Sequence, residues 1–111
     1  MEITTTQFKH CDLVKVSGRI DSATAPQMAT AVNAIIEAGR FRIVIDLGSV
    51  NFMSSAGLRV LVNTQKICKR YNRGEVILAS VPANLYAALD LAGFVPLFKI
   101  FDDLPTAVGY F

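Results

Sequence analysis

Polar and apolar residues alternate in two short segments near the start of the chain. Residues 3–8 and 13–17 are rich in β-branched side chains, and the polar segment KHCD at 9–12 separates them. This pattern predicts an antiparallel pair of β-strands joined by a turn. Gly18 follows the second segment and is predicted to end that strand.

Helical spacing begins after these two strands. Thr24 and Gln27 have the spacing of a capping box, Pro26 suits a first helical turn, and Gly39 is a typical stop signal. The sequence therefore predicts a helix between Thr24 and Gly39. Its buried stripe is predicted to comprise Met28, Val32, Ile35 and Ile36.

Strand and helix patterns continue to alternate along the rest of the chain. Strands are predicted at 41–47, at 75–79 after the NRG turn, and within 95–101. Helices are predicted from Ser54 or Ser55 to about Arg70, across 82–93, and after Asp102 or Asp103. This order predicts an α/β fold: one domain over residues 1–111, with a mixed sheet of four to five strands and about four helices packed on it.

Composition agrees with a single globular domain. The 111 residues are 52% hydrophobic and 18% charged, which suffices for one core. The formal net charge is +2 and the basic residues are scattered along the sequence, so no nucleic-acid partner is expected. Apolar runs are far shorter than the roughly 20 residues that span a bilayer, so we expect a cytoplasmic protein that makes no membrane contact.

The titratable residues do not suggest a catalytic or metal site. Cys11 and Cys68 are far apart with only His10 nearby, so neither a zinc site nor a disulfide is expected, and Cys68 is predicted to lie in the core. A serine hydrolase would need a base near its nucleophile and a GxSxG turn, whereas the sequence has one histidine and no GxSxG motif. A receiver-type domain would need an acidic pair near the first strand to bind magnesium, and Asp46 has no such pair there. A nucleotide-binding site would need a glycine-rich loop after a strand, and the sequence has none. We therefore expect no enzyme activity, no catalytic residue and no cofactor.

The segment NFMSSAGL at 51–58 places two hydroxyls between a predicted strand and a predicted helix. Either serine could simply cap the helix, since helix starts leave backbone N–H groups unpaired. Ser55 begins the solvent-facing side, however, and Arg59 follows one turn later. A phosphate there would meet free N–H groups, the helix dipole and a guanidinium, so Ser55 is also a candidate phosphorylation site.

The opposite side of this predicted helix should face the sheet. It is predicted to comprise Gly57, Val60, Leu61, Thr64, Ile67, Cys68 and Tyr71.

Three segments in order resemble bacterial anti-sigma factor antagonists of the STAS domain family. They are GRID at 18–21, IVIDLGSVNFMSSAGLRVL at 43–61 and LDLAGFVPLFKIFDDLPTAV at 89–108. By this resemblance Ser55 is the phosphoacceptor, Gly57 and Leu58 are the family's Gly-Leu pair, and Asp46 is the acid that ends the preceding strand. Ser54 replaces the acid that commonly precedes the phosphoserine, which makes Ser54 the second choice for the modified residue.

The resemblance implies a partner-switching function. The domain would bind an anti-sigma factor serine kinase that carries its own ATP, and because such a small partner-binding module does not need a stable oligomer, we expect a monomer. Phosphorylation would end this binding, and a serine phosphatase would restore it. The implied partner-binding residues are Asp21, Ser22, Thr24, Met53, Ser54, Ser55, Ala56, Gly57, Leu58 and Arg59.

Several alternatives stay open from the sequence. Asp21 and Ser22 could instead cap the first helix. Asp46 could hydrogen-bond the loop of Ser54 and Ser55. The whole domain could also be a STAS scaffold or small-ligand-binding module that is never phosphorylated.

Overall fold

Five strands form one mixed sheet in the computed structural model, which describes residues 1–71 and 73–111. The strands lie in the order β1-β2-β3-β4-β5; β1 is antiparallel to β2, and the other neighbours are parallel. The predicted mixed sheet is confirmed. Its strands are β1 (Glu2–Gln7), β2 (Asp12–Ile20), β3 (Arg42–Met53), β4 (Glu75–Ala79) and β5 (Lys99–Phe101).

Helices cover both faces of this sheet. They are α1 (Ala25–Glu37), α2 (Ser55–Cys68), α3 (Ala83–Leu91) and α4 (Leu104–Tyr110), with a 3₁₀ turn at Val95–Leu97. Side chains of α1, α2 and α3 share one core with alternate residues of the strands, while Ala107 of α4 packs on the opposite face against Val44 and Ile77. The α/β fold and the approximate number of helices are confirmed.

Two predicted strand ends were wrong. Gly18 lies inside β2, where it pairs with Val50, and β3 continues from the predicted end at residue 47 to Met53. Register shifts interrupt the β2–β3 ladder beside Gly18, whose φ of +92° is readily adopted only by glycine. These shifts break the alternation of apolar and polar residues. The alternation that predicts a strand therefore stops before the ends of β2 and β3.

Helix α2 ends slightly earlier than predicted, and this changes the position of Tyr71. The helix ends at Cys68, so Tyr71 lies outside it and is 49% exposed rather than facing the sheet. Its ring stacks on Phe41 with centroids 3.8 Å apart. Asn72, in the predicted NRG turn, lies outside the described residues.

A buried glutamine joins α2 to the sheet. The Gln65 Nε2 donates to the carbonyl oxygens of Val76 (2.9 Å) and Leu97 (2.8 Å), and its Oε1 accepts from the Val76 N–H at 2.7 Å. β5 begins beyond this point, pairing Lys99 with Ile77. The amide therefore supplies the hydrogen bonds that a longer β5 would give, which a sequence pattern does not reveal.

Two further predictions, for Cys68 and for the start of the last helix, are confirmed. Cys68 is fully buried in the core, and this burial raises the pKa of its thiol to about 11. Asp103 begins α4, its carboxylate accepting from the Thr106 N–H at 2.8 Å. Within residues 1–71 and 73–111, no helix is both long enough and apolar enough to cross a membrane.

Candidate functional site

The two serines differ in their hydrogen bonding. Ser54 is the N-cap of α2, and its Oγ accepts from the Ala56 N–H at 3.2 Å. Ser55 is the first residue of the helix and its side chain is exposed. No other group of the described chain hydrogen-bonds the Ser55 hydroxyl, so this hydroxyl is available to another molecule.

The ladder between β2 and β3 brings the two predicted partner-binding segments together. Arg19 pairs with Phe52 and Ile20 with Met53, beyond the end of the neighbouring strand β4. The Ser54 N–H then donates to the Ile20 carbonyl at 2.8 Å. Residues 18–24 and 53–58 therefore form one continuous surface at the carboxyl end of the parallel strands. We call this surface the Ser55 end.

Close packing beneath Ser55 depends on Gly57. A β-carbon at this position would lie 2.7 Å from the Met53 Cγ and 2.8 Å from the Ile20 Cγ2. Glycine thus lets α2 begin directly on the ends of β2 and β3. Met53 and Gly57 are both buried, so their side of α2 packs on the strand ends and does not face solvent.

The segment before α1 is held by its own side chains. Asp21 Oδ1 accepts from the N–H groups of Ala23 (3.0 Å) and Thr24 (3.1 Å). The Thr24 hydroxyl donates to the Arg19 carbonyl at 2.9 Å and makes no capping bond to the helix. The predicted capping box was therefore wrong, because Thr24 bonds backwards along the chain. The Thr24 N–H, and then that of Ala23, lowers the pKa of Asp21 from its usual range.

The segments that form the Ser55 end carry side chains of different chemistry. Ser22 and Arg59 are exposed, while Ala56 and Leu58 are half-buried. On the other side of the β2–β3 ladder the Arg19 guanidinium lies 4.0 Å from the centre of the Phe52 ring. Phe52 was not among the predicted site residues, because the register shifts between β2 and β3 break the alternation of apolar residues before it.

Asp46 does not bond the loop of Ser54 and Ser55. Its carboxylate is buried and accepts from the Gly48 N–H at 2.9 Å. The β2–β3 register shifts directly beyond Asp46. Asp46 therefore stabilises the irregular part of β3, a role different from the one that the sequence suggested.

Comparison with known proteins agrees with this geometry. The STAS domain profile matches residues 2–107. This chain belongs to the STAS domain family. The anti-sigma-F factor antagonist RsfB of Mycobacterium tuberculosis is 30% identical over 97 residues, which are 86% of this chain and 77% of RsfB.

Two solved structures have the same fold. An anti-sigma factor antagonist from Mycobacterium paratuberculosis aligns with a TM-score of 0.86 at 24% identity, over 98% of this chain and 92% of that protein. The phosphorylated form of Bacillus SpoIIAA aligns with a TM-score of 0.71 at 15% identity, over 89% and 90% of the two chains. These two proteins therefore share the overall fold of this chain.

Proposed function

We propose that this STAS domain is an anti-sigma factor antagonist that binds an anti-sigma factor through the Ser55 end. Phosphorylation of Ser55 then switches the binding off. The observation that carries the proposal is the exposed Ser55 hydroxyl, left free because Ser54 provides the helix cap. RsfB, at 30% identity, is named for antagonism of an anti-sigma factor.

A phosphate on Ser55 suits its local surroundings. The first turn of α2 offers unpaired backbone N–H groups and the positive end of the helix dipole. Arg59, exposed one turn later, adds a guanidinium on the same side. SpoIIAA, which shares this fold, is described in a phosphorylated form. We therefore expect modification to leave the domain folded.

The effect of the phosphate falls on the partner. It adds a charge of about −2 to a surface that the partner would cover. Burying a phosphate without a matching cation costs several kcal/mol, and about 1.4 kcal/mol is a tenfold change in affinity. One modification is therefore enough to separate the two proteins.

The enzymes of this switch are supplied by other proteins. We propose that the bound anti-sigma factor is itself the serine kinase and carries the ATP. A serine phosphatase reverses the modification. This domain acts as a cytoplasmic monomer and contributes the hydroxyl and the surface around it.

The test combines mass analysis with binding. We expect protein purified from its native host to carry phosphate on Ser55, and Ser55→Ala to remove it while Ser54→Ala does not. Ser55→Asp is expected to weaken binding to the cognate anti-sigma factor at least tenfold without changing the far-ultraviolet circular dichroism. An unphosphorylated Ser55 in every growth condition, or normal binding by a folded Ser55→Asp variant, would favour the scaffold interpretation instead.

A further inference from the structure

Most basic residues gather at the end of the molecule opposite Ser55. This is the end where the parallel strands begin and where α1 and α2 finish. The sequence shows these residues as scattered, but eight of the 11 lysines and arginines lie in segments that meet there. They are Lys9, Arg40, Arg42, Lys66, Lys69, Arg70, Arg73 and Lys99.

Three adjoining clefts make this region one surface. The first, of about 250 Å³, lies at the turn between β1 and β2, the second (about 570 Å³) at the start of β4, and the third (about 280 Å³) beside the end of α2. The first and second share Arg42, and the second and third share Lys69. We call the three clefts together the basic end. Its basic lining residues are Lys9, Arg40, Arg42, Lys66, Lys69 and Arg73.

Exposed apolar side chains lie among these charges. Tyr71 lines the second cleft, stacks on Phe41 of the first and is 49% exposed. Tyr110, in the second cleft, and Leu97, in the third, are 42% and 43% exposed. Aromatic residues and arginines are enriched at protein interfaces, and large apolar side chains exposed together commonly mark such sites.

The carboxylates of the basic end help to decide which partner fits. Arg40 pairs with Asp12 and also donates to the Phe8 carbonyl at 2.6 Å, so its charge is partly neutralised. Glu75 lines the second cleft. A nucleic-acid backbone carries a negative charge at every nucleotide. Some of its phosphates would lie beside the Glu75 carboxylate or the apolar side chains, where no basic group neutralises them. A polypeptide can instead place carboxylates beside the lysines and arginines, and apolar side chains beside Tyr71 and Leu97.

We propose that the basic end is a second docking surface, which binds an acidic amphipathic segment of a protein. Helix α2 separates it from the Ser55 end, since its 14 residues span about 20 Å at roughly 1.5 Å per residue. This distance exceeds the Debye length of about 8 Å at physiological ionic strength. Binding at the basic end is therefore independent of the charge on Ser55.

The experiment uses a fluorescein-labelled peptide made of Glu-Asp-Glu-Leu repeats, titrated with the full chain. We expect saturable binding that weakens as salt is raised. Lys66→Glu with Lys69→Glu should weaken it about tenfold or more, because two attractive contacts become repulsive. Tyr71→Ala should weaken it without changing the net charge. Ser55→Asp should leave the affinity within about twofold of the wild type.

A matched control separates a local surface from net charge. Lys15→Glu, Asn33→Glu and Asn84→Glu together lower the net charge from +2 to −2, as the double lysine variant does, but none of these residues lines the three clefts. This control should bind the peptide within about threefold of the wild type.

Three results would overturn the proposal. The first is that the triple control variant loses as much affinity for the peptide as the double lysine variant does. The second is that the peptide does not bind the wild-type chain. The third is that an oligothymidylate binds the wild-type chain more tightly than the peptide does. None of them bears on Ser55 phosphorylation, so failure here is distinguishable from failure of the partner switch.

Discussion

Gly57 shows how one missing side chain sets the position of the candidate phosphorylation site. It lets the first turn of α2 rest on Ile20 and Met53, at the ends of two neighbouring strands. Elsewhere in a helix, alanine is the better residue by about 1 kcal/mol. Here the added methyl group has no room, so steric overlap outweighs the helix propensity.

Gly57→Ala is expected to lower the free energy of unfolding by about 1–3 kcal/mol, since overpacking a tight contact costs this much. Gly109→Ala is the matched control, because Gly109 also lies in a helix but a β-carbon there meets nothing within 4 Å. That control should be neutral or slightly stabilising. Urea denaturation measures both variants, and equal effects at the two positions would contradict the packing argument.

The sequence placed the two serines at the helix start and favoured Ser55 for modification, but it left open which of them caps the helix. Both are good capping residues, and only the backbone decides which hydroxyl accepts from an N–H of the first turn. In the structure this is Ser54. Gln65 was missed for a related reason, because its three hydrogen bonds join residues from distant parts of the sequence.

At the scale of elements, regular periodicity was a reliable guide and irregular strands were not. The strand at 75–79 was predicted with its observed bounds, and α1 buries Met28, Val32 and Ile35 as expected. The far half of β3 was missed because register shifts remove its alternation. That half carries Phe52 and Met53 to the Ser55 end, so the candidate site was harder to predict than the core.

Helix α4 depends on a charged cap. The Thr106 N–H bonded to Asp103 lowers the pKa of that carboxyl from its usual range, so the folded state favours the ionised form. This stabilisation is present above the ordinary aspartate pKa of about 3.9 and is lost as the pH falls through the lower folded-state value.

Asp103→Ala is therefore expected to lower the melting temperature by a few degrees near pH 7 and to have a smaller effect as the pH approaches 3. Asp103→Asn keeps a good capping side chain without the charge, so its deficit should be smaller than that of the alanine variant. Thermal melts across this pH range provide the measurement. A deficit for the alanine variant that stays constant with pH would show that the cap does not depend on ionisation.

At the scale of the whole molecule, the fold brings together basic residues that are scattered along the sequence. The turn after β1, the start of β3 and the end of α2 are far apart in the chain, yet the parallel arrangement brings them to one end. Acidic residues such as Asp21, Asp102 and Asp103 follow strands at the opposite end. The small net charge of +2 therefore hides an uneven charge distribution between the two ends of the molecule. Counting charges along the sequence could not show this distribution.

This polarity predicts chromatographic behaviour without any partner. The double lysine variant and the triple control described above have the same net charge of −2, but only the control keeps the whole basic end. On a cation exchanger at pH 7 we expect the control to elute at higher salt than the double variant, because adsorption responds to the local charge on the face that meets the resin. Co-elution of the two variants would mean that the basic residues do not act as one surface, and it would remove the electrostatic basis for a second docking site.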